Sequence, residues 1–281
     1  MPYPRQDQAR QQDVKFISAS EPQYTFSSPE CRHSTLYMEK RAVEGEPTVF
    51  SETFEFTANG EWHNLKPEDV QPYDTTTALY KEYTAEREKH IVFSPRLREL
   101  AAKLTAGETN PYLKAKRIFR WVNDNFPWAS AREYSTIENI PEYVLDNRHG
   151  DCGQVSLLFI TLCRISGIPA HFQSGFMMHP RAWNLHDWAE VYFEGVGWVP
   201  VDQSFGIPAF ACNADEEYFF LGGIDSWRMI VNTDYGMPLQ PEKQYPRSET
   251  VDFQRGEVEW EGGNLYFPQW DYHMDIDYLN Y

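Results

Sequence analysis

One stretch constrains this chain more than any other: GDCGQVSLLFITLCRISGIPA, from Gly150 to Ala170. Val155, Leu158, Phe159 and Leu162 recur at the 3.6-residue spacing of a single helix face. Gly167 fits the helix-ending position, and Pro169 lies just beyond it. The spacing predicts a helix that opens at Cys152. Three segments after it, 170–176, 187–193 and 198–202, read as strands.

Two further helices precede it. Ser94-Pro95 supplies a cap followed by proline at the first helical position, and Leu97, Leu100, Ala101 and Leu104 carry the stripe as far as Gly107. Asn110-Pro111 repeats the signal, with Tyr112, Ala115, Phe119 and Val122 behind it as far as Asn125. Both read as scaffold. Residues 1–30 are polar and contain Pro2, Pro4, Pro22 and Pro29, which suggests an extended arm. Ser34 to Met38 and the alternating run Val49 to Thr57 read as strands, with Asn59-Gly60 as a turn signal. The expected organisation is an arm over 1–30, a β-rich segment over 31–90, a core over 91–206 and an irregular extension over 207–281.

Charge narrows the partners. With 25 basic and 42 acidic residues the net charge is −17, so the surface repels phosphate backbones and anionic lipid. Nucleic acid is therefore not an expected partner. No run approaches the ~20 apolar residues of a membrane span, and the first residues carry no secretory signal pattern. A soluble protein is expected, cytoplasmic or exported without its leader. The four cysteines, Cys31, Cys152, Cys163 and Cys212, form no CxxC pair, which speaks against a structural metal site.

Chemistry converges on three residues. Cys152 stands at the start of a helix, where unpaired backbone N–H groups favour an anion. Such a position lowers a thiol from ~8.5 toward ~3.5–7.5, while Asp151 beside it works the other way. The same N–H groups suit a tetrahedral oxyanion. His186 opens the strand His186-Asp187-Trp188-Ala189-Glu190-Val191-Tyr192-Phe193 and shares a face with Trp188 and Glu190. Asp202 ends the next strand. A turn centred on Glu194 sets His186 opposite Asp202, and one centred on Gly195 makes them diagonal neighbours. A two-residue loop at Gly195-Val196 puts Asp202 on the wrong face. Taken singly, each residue has a plain alternative: a buried structural thiol, a strand-end histidine, a loop carboxylate. In this order they supply a nucleophile, a base and a group that fixes the base's tautomer. Cys163 lies ~16 Å along the helix from Cys152, within the apolar run, and reads as core. Cys31 and Cys212 have no chemical context.

Gly150-Asp151-Cys152-Gly153, Leu157-Leu158-Phe159 and Arg164 to Ala170 resemble the nucleophile helix of the transglutaminase-like superfamily. His186 to Tyr192 resembles its histidine strand, and Gly197-Trp198-Val199-Pro200-Val201-Asp202 its aspartate strand. The resemblance spans about residues 111–206. It implies an α+β, papain-like core, with the nucleophile helix packed on an antiparallel sheet, a Cys152–His186–Asp202 triad and no obligatory cofactor. His171 departs from the arginine that many relatives carry after Gly-Ile-Pro-Ala. The cysteine zinc motifs of peptide N-glycanases and the calcium modules of animal transglutaminases are not recognisable.

Tyr134 and Asn139, upstream of the nucleophile, are candidates for substrate or oxyanion contacts, with ordinary loop hydrogen bonding as the alternative. Trp188 is a candidate shield beside His186, or a plain sheet aromatic. His149 is expected in solvent. The aromatic and acidic C-terminal stretch is expected to pack on the core. Three functions fit: hydrolysis of a peptide or amide bond through a thioester, transfer of the acyl group to an amine, and a non-catalytic peptide- or glycan-binding module. The expected partner is a peptide or protein substrate.

Overall fold

A computed structural model describes residues 1–130, 132–206 and 214–279. In chain order the elements begin with β1 (Gln11–Ala19), β2 (Tyr24–Phe26), β3 (Leu36–Met38), β4 (Glu52–Ala58) and β5 (Glu61–Trp62). Helices α1 (Ala78–Tyr83), α2 (Pro95–Leu104), α3 (Pro111–Asn125), α4 (Ile140–Asn147) and α5 (Cys152–Ile165) follow. Then come β6 (Ala170–His179), β7 (Ala182–Phe193), β8 (Gly197–Val201) and α6 (Ala214–Glu217). The chain continues through β9 (Gly223–Ile224), β10 (Arg228–Thr233), β11 (Val258–Trp260) and β12 (Gly263–Leu265). The class is α+β, as expected.

These residues form two compact units, 1–59 with 174–185 and 227–281, and 60–173 with 186–226. Compactness thus divides the chain differently from the linear segmentation read in the sequence.

In the first unit β1 pairs antiparallel with β4, and β2 with β3. Residues 1–30 are therefore no bare arm. Their polar, proline-marked composition conceals Phe16 and Phe26, whose rings meet edge to face at 5.4 Å. The strand order here is β10-β6-β7. Gly175 makes the β6–β10 approach possible, since a Cβ there would sit 1.8 Å from the Met229 carbonyl oxygen. Phe176, Met178, Met229, Val231 and Phe253 form a core cluster. Gln11 fastens β10 from the other side, donating to the Ile230 carbonyl at 2.9 Å and accepting the Ile230 N–H at 2.7 Å. The stretch expected as an irregular extension thus contributes β10, which is buried nearly throughout.

The second unit carries α1–α5 and the strand order β6-β7-β8. Three helix starts share one device, a side-chain oxygen accepting the N–H three residues on. Ser94 Oγ takes Leu97 at 3.2 Å, Asn110 Oδ1 takes Leu113 at 3.1 Å, and Asn139 Oδ1 takes Glu142 at 3.0 Å. Helix α5 is buried along its length from Gly153 to Arg164 and is flanked by α2, α3 and α4. At its far end Gly167 adopts φ 75°, and the buried Arg164 guanidinium donates to the Ala170 carbonyl at 2.8 Å. Burying an apolar helix on all sides removes its freedom to slide, so the position of its first residue is defined by packing.

Candidate active site

The first turn of α5 is built around Asp151. Its Oδ1 accepts the Gln154 N–H at 3.1 Å, and Gln154 Oε1 accepts the Asp151 N–H at 3.3 Å, a reciprocal capping box. The same Oδ1 accepts the Tyr134 hydroxyl at 2.6 Å. Cys152 is the first helical residue and is half-buried. Among the described residues, the hydrogen bond made by its thiol runs to Asp187 Oδ2 at 3.5 Å. Burial pushes the thiol well above its ordinary range, and the carboxylates of Asp187, Asp151 and Asp202 push it further. This is opposite to the lowering expected of a helix start: desolvation and three nearby negative charges outweigh the partial positive charge of the helix end.

The β7–β8 hairpin supplies the other two residues. Ala189 faces Val201 and Phe193 faces Gly197, so the turn is Glu194-Gly195-Val196, centred on Gly195 with φ 87°. That register makes His186 and Asp202 diagonal neighbours on one face. His186 Nε2 meets Asp202 Oδ2 at 2.7 Å. The other oxygen, Oδ1, accepts the Ser204 N–H at 3.1 Å. His186 is 5% exposed and Asp202 is fully enclosed. In this low-dielectric setting the carboxylate holds one ring nitrogen protonated, which makes Nδ1 the basic nitrogen of the neutral imidazole.

Aromatic rings fix the imidazole plane. Trp188 stacks on it at 5.9 Å and 28°, and Phe205 meets it edge-on at 5.4 Å. Trp188 is itself pinned, its indole N–H donating to Gln173 Oε1 at 2.6 Å. Gln173 Nε2 donates in turn to Glu190 Oε2 at 3.1 Å, and His171 Nε2 lies 3.2 Å from that oxygen. His171, the departure noted in the sequence, is thus joined to the wall behind the imidazole.

The remaining candidates separate. Tyr134 lies at the site, but its single hydroxyl proton goes to Asp151, with Asp187 Oδ2 at 3.4 Å. It braces the carboxylates rather than presenting a donor. Asn139 is a helix cap whose amide reaches the His90 carbonyl at 3.5 Å, so both ends of its side chain serve the scaffold. His149 is half-buried rather than in solvent. Cys163 is enclosed in the core, and burial raises its thiol well above the usual range. Cys31 donates to the Pro238 carbonyl at 3.6 Å, and Cys212 lies outside the described residues.

Sequence reasoning missed Asp187 and Gly153. A Cβ on Gly153 would sit 2.4 Å from Tyr134 Oη and 2.6 Å from Asp187 Oδ2. The signal was a glycine following Cys152 inside a helix, where no turn requires one. Among the described residues no group of three His, Cys, Asp or Glu side chains is placed to hold a metal ion. No described helix is long and apolar enough to cross a membrane.

Residues 98–203 match the model of the transglutaminase-like superfamily. The chain is 27% identical over 129 residues to YebA of Bacillus subtilis (strain 168), an uncharacterised protein; the match takes in 40% of this chain and 18% of YebA. It is 23% identical over 125 residues to the protein-glutamine gamma-glutamyltransferase of Pseudomonas aeruginosa, covering 41% of this chain and 19% of the relative. The chain thus spans about a fifth of the length of these two relatives. A solved structure of a proposed cysteine protease from Cytophaga hutchinsonii superposes with a TM-score of 0.53 at 18% identity. That match covers 83% of this chain and 73% of the other, and it speaks to fold.

Proposed function

We propose that this chain, whose residues 98–203 match the model of the transglutaminase-like superfamily, is a cysteine-dependent acyl-transfer enzyme that hydrolyses peptide or amide bonds. Cys152 is the nucleophile, His186 the general base and acid, and Asp202 the residue that orients the imidazole. The observation that carries the reading is the 2.7 Å contact between His186 Nε2 and Asp202 Oδ2, buried in a hairpin whose strand also meets the Cys152 thiol through Asp187.

The chemistry follows from which atom holds the proton. The thiol proton passes to His186 Nδ1, and the imidazolium is stabilised by Asp202. The thiolate attacks the acyl carbon, and the oxyanion faces the backbone N–H groups of the first turn of α5. The imidazolium then gives its proton to the departing amine as the C–N bond breaks, leaving a thioester on Cys152. Water, deprotonated by His186, attacks the thioester and releases the acid and the free thiol. Trp188 and Phe205 keep bulk water from the ring, which strengthens its interaction with Asp202.

Transfer to an amine shares every step as far as the thioester. The similarity to a protein-glutamine gamma-glutamyltransferase favours it as the second reading. A peptide and amide library read by mass, with and without added primary amines, separates the two. Free acids as products support hydrolysis, and adducts carrying the amine support transfer. A library that the protein leaves untouched, with a Cys152→Ala variant that still binds its peptides or glycans, refutes the enzyme reading and supports a binding module.

A further inference from the structure

Two consecutive residues just past β8 reach the two halves of the proposed triad. Asp202 holds His186, and Gln203 turns to the helix that begins at Cys152. Gln203 is 2% exposed, and its Nε2 donates to Ser156 Oγ. Ser156 is fully enclosed within α5, and its hydroxyl donates to the Cys152 carbonyl at 2.6 Å. A hydroxyl has one proton to give. Cys152 takes it, so Ser156 Oγ is left to accept and the Gln203 amide must present its NH2. The bonds therefore run in one direction, from Gln203 to Ser156 to the Cys152 carbonyl.

That carbonyl belongs to the peptide joining Cys152 to Gly153. A peptide is planar, so holding its oxygen also holds the Cα that bears the sulfur and the Gly153 N–H on the opposite edge. The Gly153 N–H is one of the first-turn donors left without a partner inside the helix. The strand end is anchored in its own right: the Asp202 N–H donates to the Phe220 carbonyl at 2.9 Å, and the Phe205 N–H to the Asp202 carbonyl at 3.3 Å. Half of the Gln203 amide is idle, for among the described residues no donor reaches its buried Oε1. An apolar side chain of similar length would avoid that unmatched acceptor. By packing alone a leucine would do better at this position, so the amide calls for a role in the site.

We infer that Gln203 is a positioning residue for the proposed reaction. Through Ser156 it ties the Cys152–Gly153 peptide to the chain end that carries Asp202. Sulfur, first-turn donor and imidazole are thereby held in one frame. The inference rests on Cys152 and His186 acting together as proposed above. Neighbours in sequence divide the work: Asp202 orients the base, and Gln203 orients the nucleophile. A displacement of about 1 Å between reacting groups can cost on the order of a hundredfold in rate. One buried bond at this place therefore weighs more on rate than on stability.

The test is the rate of Cys152 alkylation by iodoacetamide at fixed pH, read by peptide mass in the full chain. Wild type, Gln203→Leu, His186→Ala and the double variant are compared, each beside its urea unfolding midpoint. Gln203→Leu should slow alkylation by about tenfold or more, while the urea midpoint holds or rises. Added to His186→Ala, the same substitution should change nothing, because without the imidazole there is no spacing left to set. Ser156→Ala removes the relaying hydroxyl and should slow alkylation in the same His186-dependent way. It decides alone if Gln203→Leu does not fold. A rate that does not fall, or that falls alike with and without His186, overturns the inference. The two readings fail differently. A wild-type rate in His186→Ala shows that the imidazole does not serve the sulfur, and removes the proposed triad and the inference together. A slow His186→Ala beside a Gln203→Leu at the wild-type rate keeps the triad and removes the role of Gln203 alone.

Discussion

Replacing Asp202 by asparagine tests the triad at its tightest contact. The carboxylate uses both oxygens: Oδ2 on His186 Nε2 at 2.7 Å and Oδ1 on the Ser204 N–H at 3.1 Å. An asparagine has one oxygen, so it can satisfy only one of them. If the oxygen keeps Ser204, the amide NH2 faces Nε2, which must then accept. The ring proton moves to Nδ1, the nitrogen assigned to take the thiol proton, and the base is lost. In triads of this design the wrong tautomer costs about 10⁴-fold in kcat, which is about 5 kcal/mol of barrier at ~1.36 kcal/mol per factor of ten. If the amide flips instead, the tautomer survives but NH2 meets the Ser204 N–H, donor against donor, at a fully enclosed position. An unmatched buried donor costs ~1–3 kcal/mol of stability. Either branch leaves a mark, one on turnover and the other on folding. Steady-state kinetics on a substrate from the library screen, beside urea denaturation, reads both. An Asp202→Asn variant within tenfold of wild-type kcat and within ~0.5 kcal/mol of wild-type stability would refute the reasoning.

Three further outcomes are expected. Gly153→Ala puts a methyl 2.4 Å from Tyr134 Oη and 2.6 Å from Asp187 Oδ2, so urea unfolding should show a loss of ~1–3 kcal/mol; an unchanged or raised midpoint would show that the site gives way freely. His90 is almost fully enclosed, with the Ile140 N–H donating to its Nδ1 at 3.3 Å, and burial, helped by the nearby charge of Lys89, lowers its pKa to about 4. The unfolded chain therefore binds the proton first, and stability should fall as pH drops from ~6.5 toward 4, by up to about 3 kcal/mol at ~1.36 kcal/mol per unit; the same slope in His90→Asn would count against it. Trp188→Phe removes the indole donor from Gln173 while keeping a ring beside His186. It should cost ~1–3 kcal/mol through the acceptor left unmatched, and should lower kcat less than Asp202→Asn does; a larger kinetic loss than that of Asp202→Asn would give the indole a direct chemical role.

Some of this was decided locally and some was not. Ser94-Pro95 and Asn110-Pro111 start their helices where the pattern places them, because capping is a contact between residues three apart. The helix that begins at Cys152 is legible for the same reason: its apolar spacing, its Gly167 stop and its first residue are all written within a short window. Hairpin parity was legible as a set of alternatives, since a turn of three residues and one of two place Asp202 on opposite faces. Only the observed pairing of Phe193 with Gly197 chose among them.

What the chain could not announce is whatever depends on residues far apart in sequence. Phe16 and Phe26 sit in a polar, proline-marked segment, and β1 exists because β4 lies some forty residues away to pair with it. The run Arg228–Thr233 reads as part of a tail until Gly175 lets β6 come against it. The state of the thiol belongs to this second class as well. A helix start alone argues for a lowered pKa, and sequence reasoning weighed only Asp151 against it. Burial of the sulfur is the larger cause, and the carboxylate that adds most to it, Asp187, arrives from a strand 35 residues on. Order and residue type along the chain determined which groups can react. Burial and the charges gathered around the sulfur, which exist only once the chain has folded, decided the state of the Cys152 thiol, because electrostatic interactions depend on distance and dielectric and not on position in the sequence.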